Sequence, residues 1–535
     1  MTGSHAIKTG IQVEELVVNQ DRVVHGDVTY AFLRGVPNTI TQYGTPYLQK
    51  DRATDLGLFV QDQWTVKRLT LNYGLRFDYF NGHTPSQSAP AGRFLPAREF
   101  AAVHDVPSWT DLNPRLGASY DLFGNGKTAF KVSIGRYLEA LGVAAVTTLN
   151  NPIMTSVNSV NRTWNDVNGN YVPDCDLLNP GANGECGPFD NVNFGRNNPG
   201  ATTYADDVLH GFGVRNYTWD VSLEVQHQIH PRVSLTGGYY RNWAANFRVN
   251  DNSAIGPADY TQYCITAPVD PRLPGGGGYP VCGLYDVAPA KFGQGNNIVN
   301  RASQYFGDNS NANCGTNAAD VALQAANGGL CGVSDFFSIR ANTRFGSGFQ
   351  LGGGVDTGRT VIDNCFVVDS PQQLLHCRIV TPFKAQTQVK VFGSYPLPGA
   401  FAVSATFQNT PGQAITANYA APNAAILPSL GRNLAACGTR VQCTSTATVP
   451  LVAPQTLFLD DHTRLDLRLS KTLRLSSGAS LQLNFDVYNA LNANTILSVN
   501  NTYGPTWLQP AVPPVPGGDA VLPARRLQFG GQLKF

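Results

Sequence analysis

Apolar and polar side chains alternate along segments of roughly ten residues in this chain. In one of them, Leu69, Leu71, Tyr73, Leu75, Phe77 and Tyr79 interleave with Thr70, Asn72, Gly74, Arg76 and Asp78. Successive side chains of a strand point to opposite faces, so such a ribbon meets two different environments. The pattern recurs. Trp219, Val221, Leu223 and Val225 oppose Asp220, Ser222, Glu224 and Gln226, and Leu481, Leu483, Phe485 and Val487 oppose Gln482, Asn484, Asp486 and Tyr488. It predicts fifteen strands, over residues 5–18, 22–33, 54–65, 69–80, 113–122, 128–138, 216–228, 233–243, 335–344, 349–358, 387–395, 401–409, 463–469, 480–489 and 525–535.

The links between these strands fall into two classes. Short ones carry turn formers: 19–21, 66–68, 123–127, 229–232, 345–348, 396–400 and, somewhat longer, 470–479. Gly and Asn supply positive φ there and Pro fixes φ. Long ones run through 34–53, 81–112, 139–215, 244–334, 359–386, 410–462 and 490–524, and they alternate with the short ones. Such lengths are unusual inside a compact soluble domain. They are ordinary on the outer face of a bacterial barrel, where the short turns face the periplasm. The predicted fold is therefore all-β: a transmembrane antiparallel β-barrel over residues 1–535, with the long links as extracellular loops.

Composition fits that reading. Charged residues are 14%, against about 25% in typical soluble domains. Net charge is +1, which gives no basic footprint for nucleic acid. The longest apolar stretch, 140–149, is too short to span as a helix. A chain of this kind crosses a membrane as a sheet, because helices and closed barrels alone satisfy every backbone group in lipid. Residues 1–5 lack the basic and apolar regions of a secretory signal. Fifteen strands counted back from Phe535 place Met1 on the extracellular side, whereas bacterial barrels have even strand numbers. The expectation is a chain that begins inside a larger barrel.

Aromatic residues gather near strand ends: Trp64, Tyr79, Phe80, Tyr120, Tyr137, Tyr217, Trp219, Tyr239, Tyr240, Trp243, Tyr395 and Tyr488. They read as two interfacial girdles, although strands favour aromatics in any case. Asp78, Arg76, Asp220, Glu224, Lys390, Asp466, Arg468 and Asp486 fall on the polar strand face. They either line a lumen or are simply hydrated.

The ten cysteines all lie in long links. In order they form close pairs: Cys175 and Cys186, Cys264 and Cys282, Cys314 and Cys331, Cys365 and Cys377, Cys437 and Cys443. An even number confined to exported loops reads as disulfides, and the absence of C-x₂-C spacing argues against zinc. Asp166, Asn168, Asn170, Asp174 and Asp176 space oxygen ligands at alternate positions, as a calcium loop does. An Asn/Asp-rich turn without an ion explains the same residues. No H-E-x-x-H, G-x-S-x-G or Walker loop occurs, so no enzymatic activity is expected.

The hairpin Leu56–Trp64 with Leu69–Asp78, the Asn113-Pro114-Arg115-Leu116-Gly117 stretch and the Phe485–Asn492 stretch together resemble TonB-dependent outer-membrane receptors. The long loops and the Asp174-Cys175-Asp176 region resemble their Oar-like subgroup. In the closing strand, Leu527, Phe529, Leu533 and Phe535 resemble the signal read by the barrel-assembly machinery. The resemblance implies a barrel of about 22 strands around a plug, here as a carboxy-terminal portion without plug or TonB box. It implies a Gram-negative outer membrane, its lipid as a partner, and import of a solute, carbohydrate or peptide held by the loops. TonB would act only through a plug domain not seen in this sequence. The alternatives are a plugless porin-like channel and a secreted all-β structural or adhesive protein.

Overall fold

The structure is a computed structural model describing residues 3–143, 146–305, 331–346, 348–440, 442–475, 478–511 and 518–535. Fourteen strands among these residues form one antiparallel meander. They are β1 (Ser4–Arg22), β2 (Tyr47–Val66), β3 (Leu69–His83), β4 (Ser108–Asp121), β5 (Thr128–Leu138), β6 (Tyr217–His230) and β7 (Val233–Ala245), followed by β8 (Cys331–Arg344), β9 (Gln350–Asp363), β10 (Gln388–Leu397), β11 (Phe401–Thr410), β12 (His462–Arg474), β13 (Ser480–Tyr488) and β14 (Arg526–Lys534). Each pairs with its neighbour in this order, and β1 and β14 are the two edges among the described residues. Short strands His210–Phe212 and Arg378–Thr381 add to β4 and β9. No helix among the described residues is long and apolar enough to cross a membrane.

Register makes each strand two-faced. Leu58, Val60 and Trp64 of β2 lie opposite Phe77, Leu75 and Leu71 of β3, and Gly57 and Gln63 lie opposite Asp78 and Asn72. The apolar face is exposed: Ile7 at 70%, Leu75 at 41%, Leu223 at 37% and Leu483 at 44%, with Leu71 half-buried. The polar face holds buried Asp78, Asp111 and Asp486. Water-soluble sheets bury their apolar face, so this sheet is inverted.

Two expectations are corrected at the amino-terminal end. Residues 19–21 form no turn, because β1 runs through them to Arg22, with Asn19, Gln20 and Asp21 opposite Lys50, Gln49 and Leu48. The strand predicted over 22–33 does not join the large sheet. Val28–Leu33 pairs instead with Val36–Tyr43 in a small outer-loop sheet completed by Ser159–Thr163. Turn-forming side chains are tolerated in β1 because its ladder to β2 continues past them. Among the described residues the large sheet follows a path of fourteen strands rather than the fifteen expected. Ser4 lies beside the turn after Thr65, and Lys534 beside the turn before Ser480, so both edges start and end on the short-turn side.

The loop-side strand ends extend further than the alternation suggests. Residues 47–53, 81–83, 108–112, 331–334 and 359–363 are strand rather than link. Cys331 accordingly heads β8 rather than lying in a loop. Beyond these ends the long loops fold into a cap. One cap core gathers Tyr263, Leu284, Ile426, Leu430, Val449 and Trp507 from three loops. The helix Asn423–Leu430 in it stops at Gly431, whose φ of 74° a side chain would resist and whose N–H bonds back to Leu427. A second core, with Phe80, Trp109, Val143 and Leu209, joins strand ends to the 139–216 loop.

Candidate functional site

The polar faces of β1–β6 line a cavity of about 890 Å³. Period-two alternation brings Lys8, Asn72, Arg76, Arg115, Lys131 and Glu224 to this wall. Arg115 lies over the Tyr137 ring at 4.7 Å, Lys131 Nζ donates to Gln226 Oε1 at 2.9 Å, and the Tyr240 hydroxyl donates to Glu224 Oε1 at 2.5 Å. Tyr137, Tyr240 and Tyr488 therefore face inward rather than joining a girdle; Tyr488 lies beneath Arg464, 5.9 Å from ring to guanidinium. Phe80 and Tyr217 are buried as well. Trp64 stacks with His5 at 5.4 Å, and Trp219 with Trp243 at 6.3 Å, on the apolar face as expected.

Towards the cap the wall becomes a ladder of paired charges. Arg76 Nε meets Asp78 Oδ1 at 2.7 Å, and Asn113 Nδ2 donates to Asp78 Oδ2 at 2.6 Å. Arg136 then donates to Asn113 Oδ1 at 2.7 Å and Asp111 Oδ1 at 2.8 Å. Further round, Arg340 pairs with Asp356 at 3.0 Å, Arg464 with Asp466 at 2.8 Å and Arg468 with Asp486 at 2.5 Å. Lys390 faces Gln408 across β10 and β11, and Asp220 faces Gly135 across β5 and β6. All eight polar-face candidates thus lie on one wall. Burying such charges is tolerable only when they are paired and hydrogen-bonded.

Arg215 is, with Asp111 and Arg136, among the residues that sequence reasoning missed. It ends the 139–216 loop one residue before Asn216 and β6, with no motif around it. It is 5% exposed, with its guanidinium 5.3 Å from the Phe80 ring and 5.9 Å from the Trp109 ring. Its Nη2 donates to the Glu139 carbonyl at 2.7 Å. Burial pushes its pKa below the ordinary arginine value, while Asp55, Asp111 and Asp78 oppose that shift. Loop and wall are joined at this point by aromatic stacking and long-range charge.

The remaining candidates lie in the loops and at the last strand. Cys175–Cys186, Cys264–Cys282, Cys365–Cys377 and Cys437–Cys443 are bonded as nearest neighbours. Cys314, the expected partner of Cys331, lies outside the described residues. Asp166 accepts from the N–H groups of Gly169 at 2.8 Å and Tyr171 at 3.0 Å, while Asn168 and Asn170 donate to Asp174 Oδ2 at 2.6 and 3.1 Å. Asp176 instead accepts from the Leu178 N–H at 2.9 Å. Among the described residues no three His, Cys, Asp or Glu side chains are grouped to hold a metal ion. Leu527, Phe529, Leu533 and Phe535 are exposed along β14 and the residue after it.

The family model described as an outer membrane beta barrel domain matches residues 1–321 of the 535. The chain belongs to this family. This barrel domain is 28% identical over 161 residues to the TonB-dependent transporter Oar of Myxococcus xanthus, a match that takes in 26% of the chain and 13% of Oar. Among solved structures, the FrpB iron transporter of Neisseria meningitidis aligns with 98% of the chain and 55% of its own length, at 10% identity and a TM-score of 0.43. The ferripyoverdine receptor of the Pseudomonas aeruginosa outer membrane aligns over 98% and 49%, at 9% identity and a TM-score of 0.41. The barrel domain thus spans about half the length of these solved proteins and a small part of Oar.

Proposed function

We propose that this barrel domain is the wall and outer cap of a TonB-dependent transporter of Oar-like type, which holds a solute in its loops for import. The observation that carries the reading is the division of labour in the fold. Among the described residues the short turns lie on one side of the sheet and the long loops on the other, and the described loop segments pack into a folded cap above a polar wall. A cap with its own cores presents a fixed outer surface for recognition, and the paired charges of the wall offer reversible hydrogen bonds without a covalent step. The stretch shared with Oar supports the transporter over a generic barrel. Outer-membrane lipid would meet the apolar face, and the assembly machinery would read Leu527, Phe529, Leu533 and Phe535. TonB would act through a plug seated against the polar wall.

Liposome swelling with the purified chain tests the transport half of this reading. A plug-dependent importer wall gives no steady sugar flux unless its plug is absent from the preparation. In its absence, flux should fall when a plug domain is added. Flux indifferent to an added plug would make the protein a porin-like channel, and a protein that stays soluble without detergent would end the membrane reading. We also propose, from ligand spacing alone, that Asp166, Asn168, Asn170, Asp174 and Asp176 take a calcium ion. Calorimetric titration of the oxidised protein that shows no calcium binding would remove that assignment.

A further inference from the structure

Near the loop end of β2 the wall buries a carboxylate that no cation answers. Asp51 is 0% exposed. Its oxygens accept three hydrogen bonds, all from neutral donors: Gln49 Nε2 at 2.6 Å, Asn151 Nδ2 at 2.8 Å and Thr148 Oγ1 at 2.9 Å. Among the described residues no Lys, Arg or His forms an ion pair with it. Arg52, the adjacent cation, donates to the backbone carbonyls of Val18 and Asp51 and to Asn19 Oδ1, not to the Asp51 carboxylate. An ionised carboxylate withdrawn from water without a counter-charge is strongly disfavoured.

A second observation falls on the same spot. Gln49 Oε1, Thr84 Oγ1 and Thr147 Oγ1 are buried and take no hydrogen bond from any described residue. Their residues are 2%, 0% and 1% exposed. The Gln49 amide already touches Asp51 through its nitrogen, which keeps its oxygen beside the carboxylate. The β2–β3 register ends at Arg52 opposite His83, and Asp51 and Thr84 are the next residues beyond this last pair. Thr147 precedes the Asp51 donor Thr148, and its Oγ1 sits 2.2 Å from where a Cβ on Gly82 would be. Gly82 and Thr84 share a strand face, so only a residue without a side chain lets the loop approach so closely here. One carboxylate and three unanswered oxygens are therefore buried at neighbouring positions at this point of the wall.

We propose that this point is a resident site for a monovalent hard cation, sodium by charge and ligand type. The donor set is all oxygen, which selects hard cations over transition metals. One positive charge balances one carboxylate. Calcium would leave a buried excess of charge and asks for six to eight oxygens. A water molecule could satisfy the hydroxyls but would leave the carboxylate uncompensated. The ion would tie the 139–216 loop, through Thr147, Thr148 and Asn151, to β2 and β3. Asn151 extends the same tie to Gln87, whose Nε2 donates to its Oδ1 at 2.9 Å.

The test uses the full chain in detergent with EDTA and choline chloride, titrated with sodium chloride. Sodium NMR should show excess line broadening that saturates, and protease cleavage within the 139–216 loop should slow over the same range. Asp51→Asn should abolish both responses. Gln49→Leu keeps the charge but removes one oxygen, and should weaken sodium binding about tenfold. Wild-type protein without saturable broadening, or with a response that survives in Asp51→Asn, would overturn the proposal. Should Asp51→Asn fail to fold, unchanged sodium affinity in Gln49→Leu would overturn it equally.

Discussion

The cap and the wall of this molecule obey opposite rules. In the cap, Trp507, Ile426, Leu284 and Val449 are buried, and Trp507 Nε1 donates to the Thr416 carbonyl at 2.9 Å. In the wall, Ile7, Leu75 and Leu223 are exposed while Asp78, Asp111 and Asp486 are buried. One polypeptide therefore carries two hydrophobicity codes, and the surrounding medium decides which applies. Where water is outside, apolar groups turn in. Where lipid is outside, they turn out and the polar groups line the interior.

The sharpest way to break this contrast is to damage one region and watch the other. Trp507→Ala should cost the cap about 3–5 kcal/mol. The loops should become protease-sensitive while heat-modifiable gel mobility, which reports the barrel, persists. Joint collapse would show that the two regions are one cooperative unit. Next in size is a charge on the apolar face: Leu223→Arg or Leu75→Arg should cost about 2–4 kcal/mol in a bilayer near its midplane. Asn72→Arg and Asn484→Arg, on the polar face, should be mild in the same denaturant titration. Equal losses in both sets would contradict the face assignment.

Most of the wall was legible because alternation is a local signal. β5 matches its predicted span, 128–138, and the closing strand is off by one residue at each end. The losses come where the code changes. Above the lipid band, Gln49 and Asp51 on β2 are buried beneath loops, so alternation no longer marks the strand and 47–53 reads as a link. Asn19-Gln20-Asp21 has turn composition, yet the ladder to β2 overrides it. At the site, the eight charged wall residues follow from parity alone. Arg215 and the Asp51 cluster do not, because their partners come from segments tens to a hundred residues away. Nearest-neighbour pairing of the four described cystines was readable because each closes a short loop.

Two smaller predictions refine the contrast within the cap. Replacing both Cys437 and Cys443 by Ser should lower cap stability by about 2 kcal/mol in the chain-entropy picture. The barrel, which has no cystine between its described strands, should keep its gel mobility. A mixed result, with barrel mobility lost first, would reverse the assignment. The smallest effect concerns pH. Hydrogen bonds from Arg272 hold the Asp270 carboxyl below the usual carboxylate range, and Arg272 also donates to the Trp507 and Gly504 carbonyls at 3.1 and 3.2 Å. A carboxylate with a depressed folded-state pKa adds stability that is complete above its unfolded value of about 3.9 and declines as pH falls below it. Hydrogen exchange around residues 504–508 should therefore be flat from neutral pH to about 5, after correction for intrinsic rates, and accelerate below about 4. Loosening near pH 6 would rule out this clasp.

The central claim is that lipid touches the apolar strand face while water reaches the polar one. Spin labels placed one at a time along residues 71–77 of β3, in protein reconstituted into bilayers, measure this directly. Oxygen collision rates should peak at 71, 73, 75 and 77 and fall at 72, 74 and 76, with a water-soluble nickel reagent showing the reverse phase. A flat profile, or a nickel maximum at 75, would contradict the account.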